Sequence, residues 1–179
     1  MRAFIAVPVG DEVKRKIAPF SKALGLEGVT VVPEKNLHVT LFFLGEIDDK
    51  RAGEAASALE KISVPRFEAR FRGAGAFPNE NFIRVVWVGC ESPELGRVYD
   101  GLSPAVKRMG YAVEPFRPHV TVARVKAPAA KPAVQEALKK FGGKDFGSSA
   151  VEKVALYESR LSPKGPAYEE VFAKTLCGP

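Results

Sequence analysis

Two stretches of this chain, LHVTLFF at residues 37–43 and PHVTVAR at 118–124, carry the same tripeptide, and each uses one of the sequence's two histidines. Threonine is nearly as scarce. It occurs four times, at 30, 40, 121 and 175, and two of those follow a histidine by two positions. Random placement would produce that about once in 2,700 trials, so the repeat is a constraint and not a coincidence. Each tripeptide lies in a run of β-branched and apolar residues, which is strand material. On a strand, residues i and i+2 share a face. His38 therefore points with Thr40 and His119 with Thr121, while Val39 and Val120 turn to the opposite layer.

The surroundings repeat as well. Alternation predicts a strand over 2–9. The spacing of Val13, Ile17, Phe20 and Leu24 predicts a helix over 11–24, which Pro19 should bend or interrupt. A short strand over 29–32 precedes the strand over 37–44, and Asp48 with Asp49 opens a helix to about Ile62. Strands over 67–71 and 82–88 lead to a helix over 92–109, with Pro93 in its first turn. A strand over 119–125, a helix over 131–141 and strands over 151–161 and 168–176 complete the chain. A shift of 81 residues carries His38 onto His119 and Phe4 onto Val85, and RFRGAGAFP ending at Pro78 matches LYESRLSP ending at Pro163 in place and pattern. The chain thus reads as a tandem duplication, approximately 1–80 and 81–179, inside one two-lobed domain spanning 1–179. The expected class is α+β and bilobal. Each of two pseudo-symmetric lobes is an antiparallel sheet with helices on its outer face, and the active-site cleft runs between them.

A pseudo-twofold axis would bring two imidazoles and two hydroxyls to that cleft. With a reference pKa near 6.5, a histidine pair can hold one neutral and one protonated ring near neutrality. One ring can take a proton from a nucleophile while the other protonates a departing oxygen. Threonine hydroxyls can hold the charge that develops on phosphoryl oxygens. Those parts suit phosphodiester cleavage. Two histidines are an incomplete zinc set, and the nearest carboxylate after His38 is Glu46, so no metal and no cofactor is expected. A net charge of +6 suits polyanionic partners or simply a solvated surface. Cys90 and Cys177 are too few for a disulfide framework. The opening MRAFIAVPVG is too short for a signal-peptide core or a membrane span. A cytoplasmic monomer with no membrane association is the expectation. Scarce Asn and Gln (Asn36, Asn79, Asn81 and Gln135) suit a heat-adapted source.

Several segments, RAFIAVPV, NLHVTLFFLGE, GAGAFPN with the following VVWVG, FRPHVTVARV and LYESRLSPKGPAYEEV, give a likeness over nearly the whole length. The chain resembles the RNA 2′,3′-cyclic phosphodiesterases, historically called 2′–5′ RNA ligases, of the two-histidine phosphoesterase superfamily. The resemblance implies hydrolysis of RNA 2′,3′-cyclic phosphate ends to 2′-phosphate, with reversible 2′–5′ ligation as a further activity. It implies His38 as proton donor, His119 as proton acceptor, and Thr40 and Thr121 as phosphate ligands. The order of roles comes from the resemblance and not from the symmetric motifs. It also implies that Phe43 and Arg124, five residues after the histidines, hold the terminal base. An offset of five has the wrong parity for a flat strand, so each would need a bulge or a strand end, and Phe42 is a rival with the right parity. The alternatives are a phosphodiesterase for a small cyclic nucleotide such as ADP-ribose cyclic phosphate, and a non-catalytic RNA-end binding module. Tyr157 and Tyr168 could line the cleft or pack in the core, and Trp87 reads as core. Arg66, Arg70 and Arg72 could meet RNA backbone.

Overall fold

Apolar residues recurring on one helical face define the helices. In the computed structural model, which describes residues 1–178, α1 (Asp11–Ala23) buries Val13, Ile17 and Phe20 completely. Pro19 does not interrupt it. It lies on the exposed face, where water can replace the donor that proline lacks. α2 (Asp49–Glu60) starts where Asp48 Oδ1 accepts from the Arg51 backbone N–H at 2.9 Å. α3 (Pro93–Arg108) starts where Ser92 Oγ accepts from the Leu95 N–H at 3.2 Å. α4 spans Lys131–Phe141.

The strands are β1 (Arg2–Pro8), β2 (Val29–Val31), β3 (His38–Glu46), β4 (Phe67–Asn79), β5 (Phe82–Glu91), β6 (His119–Val125), β7 (Asp145–Val151), β8 (Lys153–Ser162) and β9 (Gly165–Thr175). They pair antiparallel in the order β7-β4-β5-β6-β3-β1-β8-β9, with β2 against β6. Two elements depart from the sequence reading. β4 runs on through GAGAFP to Asn79, its register shifting between Phe71 and Ala74. β7 forms from DFGSSAV, a Gly/Ser stretch of low strand propensity. It pairs with the edge of β4, buries Phe146 and Val151, and uses Ser149 Oγ to accept the Gly10 N–H at 2.8 Å.

The sheet falls into two lobes at the β3–β6 seam, where Val39 pairs with Val120 and both are fully buried. β3, β1, β8 and β9 with α2 and α3 make the first lobe, centred on the stacked rings of Phe42, Tyr99 and Phe116, whose successive centroids are 4.4 Å apart. β6, β5, β4 and β7 with α1 and α4 make the second, centred on Phe20, Phe141 and Phe146. The lobes are interleaved along the chain. α1 follows β1 of the first lobe yet packs on β7 of the second, and β4 and β8 likewise join the lobe opened by the other half.

Candidate active site

Both motifs meet at the seam. Continuing the Val39–Val120 register by one residue either way sets His38 across from Thr121 and Thr40 across from His119. Each imidazole is held the same way. His38 Nδ1 lies 2.6 Å from the Asn36 carbonyl, and His119 Nδ1 lies 2.6 Å from the Arg117 carbonyl. A carbonyl only accepts, so Nδ1 carries the proton in both rings and Nε2 is the working nitrogen. His38 Nε2 sits 2.8 Å from Thr40 Oγ1. When neutral it accepts from that hydroxyl, and when protonated it donates.

Bulges decide what else shares the face. Ile5 pairs with Phe42 and the next β1 residue, Ala6, pairs with Thr40, so Leu41 is an extra residue in β3. An extra residue reverses parity. Phe43 therefore joins His38 and Thr40 on the cleft side, 72% exposed, while Phe42 turns into the core against Tyr99. β6 does the same. Val86 pairs with Ala123 and Trp87 with Thr121, so Val122 is extra and Arg124 shares the face of His119 and Thr121. The carbonyl of Val122 accepts the Val32 N–H at 2.9 Å, which holds the bulge in place. Leu41 and Val122 are themselves 81 residues apart.

Aromatic rings pack around both histidines. Phe4 stacks on His38 with centroids 4.9 Å apart, and Tyr168 meets His38 edge-on at 5.3 Å. Tyr157 stacks behind Phe4 at 5.4 Å. On the other side Phe77 meets His119 edge-on at 5.0 Å and is backed by Trp87 at 5.3 Å. The tryptophan is thus half-buried beside the cleft and not in the helix-covered core. Sequence reasoning missed Phe4 and Phe77 as partners of the histidines. The repeat held a signal for Phe4, because the 81-residue shift lays it on Val85, which pairs with Arg124 of β6 as Phe4 pairs with Phe43 of β3.

Burial and charge act on the rings in one direction. Both histidines have pKa values lowered from 6.5, chiefly because burial disfavours the imidazolium. The hydrogen bonds to the Asn36 and Arg117 carbonyls oppose this, while Arg124 lowers both and His119 and Lys14 lower His38 further. Arg124 is therefore electrostatically central to the cleft. Arg70, by contrast, is taken up by Asp145 at 2.6 Å. Among the described residues no three His, Cys, Asp or Glu side chains cluster as a metal site, and no helix is long and apolar enough to cross a membrane. A concavity of about 650 Å³ between α2 and α3 has neither histidine in its lining; His38 lines another of about 330 Å³.

The family model of LigT-like phosphoesterases matches residues 5–87 and again 88–168. An RNA 2′,3′-cyclic phosphodiesterase of Archaeoglobus fulgidus is 37% identical over 174 residues, covering 96% of this chain and 98% of the relative. One from Methanocaldococcus jannaschii is 31% identical over 172 residues, covering 96% and 98%. Among solved structures, one from Thermus thermophilus superposes with a TM-score of 0.85 at 32% identity, covering 99% of each chain. Escherichia coli LigT complexed with 3′-AMP gives 0.79 at 26% identity, covering 98% of this chain and 97% of LigT.

Proposed function

This chain belongs to the LigT-like phosphoesterases and is an enzyme of that family, and from that premise we propose that its cleft opens RNA 2′,3′-cyclic phosphate ends to a 2′-phosphate by two-histidine acid–base catalysis without a metal ion. The observation that carries this is the matched pair of imidazoles, each with Nδ1–H fixed on a carbonyl and Nε2 left for proton transfer, that of His38 beside the Thr40 hydroxyl, on either side of a one-residue seam. His119 Nε2 takes a proton from water as the oxygen attacks phosphorus. The P–O3′ bond breaks, and His38 Nε2 delivers its proton to O3′ while O2′–P stays intact. Thr40 and Thr121 donate to the non-bridging oxygens, and Arg124 balances charge on that face. Phe43 offers an exposed ring for the terminal base. If the 5′-hydroxyl of a second strand replaces water, the same steps give a 2′–5′ linkage.

The matching bulges at Leu41 and Val122, one in each half, support a second part of the reading: a single two-lobed domain built by internal duplication.

The test is an RNA ending in 2′,3′-cyclic phosphate, incubated with excess EDTA. The expected product is the 2′-phosphate, with His38→Ala and His119→Ala each losing roughly 10²–10⁴-fold in rate. Near-normal turnover by both variants, or loss of activity in EDTA, refutes the proposed chemistry. A 3′-phosphate product refutes O3′ as the leaving atom.

A further inference from the structure

Beside His38, toward β1, β8 and β9, the cleft opens into the 330 Å³ concavity walled by Phe4, Tyr157 and Tyr168. Lys14 from α1 and Lys35 from the turn before β3 reach it. Neither ammonium has a carboxylate within ion-pair distance among the described residues, and no carboxylate lines the concavity. Glu170, whose charge reaches Tyr157, is already bridged to Lys153. The two tyrosine hydroxyls accept or donate no hydrogen bond within the described protein, and burial keeps both protonated, that of Tyr157 pushed up to about 12. Two unpaired cations and two tyrosines with unpartnered hydroxyls lining one hollow make a place for an anion. The stacked rings of Phe4 and Tyr157 add an apolar wall to it.

The reaction fixes what that anion is. O3′ leaves next to His38, and O3′ and O5′ belong to the same ribose. A group attached at O5′ is then within one nucleotide's reach of the concavity that His38 shares with the two lysines. We propose that Lys14, Lys35 and the tyrosine hydroxyls form a second phosphate subsite, which holds the phosphate on the 5′ side of the terminal nucleotide. The inference rests on the reading of the site given above. It makes the preferred substrate a nucleotide with phosphates on both sides of its ribose, which every RNA end supplies and a simple nucleoside cyclic phosphate does not.

The experiment compares kcat/KM for adenosine 2′,3′-cyclic phosphate with that for the same molecule carrying a 5′-phosphate. The wild type should favour the second by about 10–100-fold, the scale of hydrogen bonds to a charged group. Lys14→Ala and Lys35→Ala should each shrink that preference by about tenfold, while Lys61→Ala, on the far side of the first lobe, leaves it unchanged. Taking the ratio of the two substrates within each variant cancels any action of Lys14 on His38 itself. A wild-type ratio near one, or a ratio that survives both substitutions, overturns the subsite. If the wild type opens neither substrate, the cyclic-phosphate reading has failed instead, and binding of the 2′,5′-bisphosphate against the 2′-phosphate reads the subsite alone.

Discussion

Gly75 pairs with Trp87 across β4 and β5, and the indole lies flat over the place where a side chain would stand. A Cβ built on Gly75 would come within 2.4 Å of Cζ2 and 2.6 Å of Cη2, where ordinary contact begins at 3.4 Å. In Gly75→Ala the ring must therefore retreat by about 1 Å. Only packing resists, because Trp87 Nε1 is buried with no hydrogen-bond partner among the described residues. The displaced ring is in contact with the site: Trp87 backs Phe77, and Phe77 meets the edge of His119. Overpacking of this size costs about 1–3 kcal/mol, which for a chain of this length lowers Tm by roughly 2–12 °C. A catalytic group displaced by about 1 Å costs on the order of 10²-fold in rate. Steady-state kinetics on a cyclic-phosphate dinucleotide, run well below the variant's Tm, should show kcat falling far more than KM rises. Trimming the partner, as in Gly75→Ala/Trp87→Leu, should recover part of the lost kcat. A variant that loses stability yet keeps wild-type kcat would refute the idea that this chain of rings positions His119.

Three further outcomes follow from the same site. Both histidines titrate below 6.5 in the free protein, so the kcat/KM profile should peak below that pH, and Arg124→Gln, by removing a cation that lowers both, should move the peak upward; an unmoved peak refutes Arg124's electrostatic role. The unfolded chain binds more protons in that window, so these rings contribute stability that is present above pH 6.5 and lost as pH falls through their folded values, and a pH series of Tm should show that loss reduced in His38→Gln. Phe43→Ala should leave Tm nearly unchanged while raising KM about tenfold by loss of base stacking, whereas Phe42→Ala should lower stability by about 3–5 kcal/mol; the reverse pattern would mean the bulge at Leu41 is misread.

The tripeptides, helices and outer strands were legible because each is governed by local periodicity. What a flat strand could not give was parity. Phe43 and Arg124 look misdirected until an extra residue is inserted at Leu41 and Val122, and a bulge leaves no residue-type signature in a run such as TLFF or TVAR. β7 was illegible for another reason: Gly147 and the two serines carry little strand preference, and the free edge of β4 supplies the order. Trp87 looked like core because an apolar run in a sheet does not say which of its two faces the helices cover. Lys14 was invisible because it comes from a helix that belongs, in space, to the opposite lobe.

That crossing of α1 into the second lobe bears on synthesis. The second lobe has to wait for β7, which ends at Val151, and the first for β9, which ends at Thr175. Neither lobe can close while those strands are still inside the ribosome, and neither half, severed at the repeat boundary, holds the strands its own sheet requires. Tyr168, the edge-on neighbour of His38, arrives only with β9. A product that stops short of that strand therefore lacks one wall of the cleft beside the first imidazole. The strand order thus leaves the nascent chain without a finished cleft until both lobes can close.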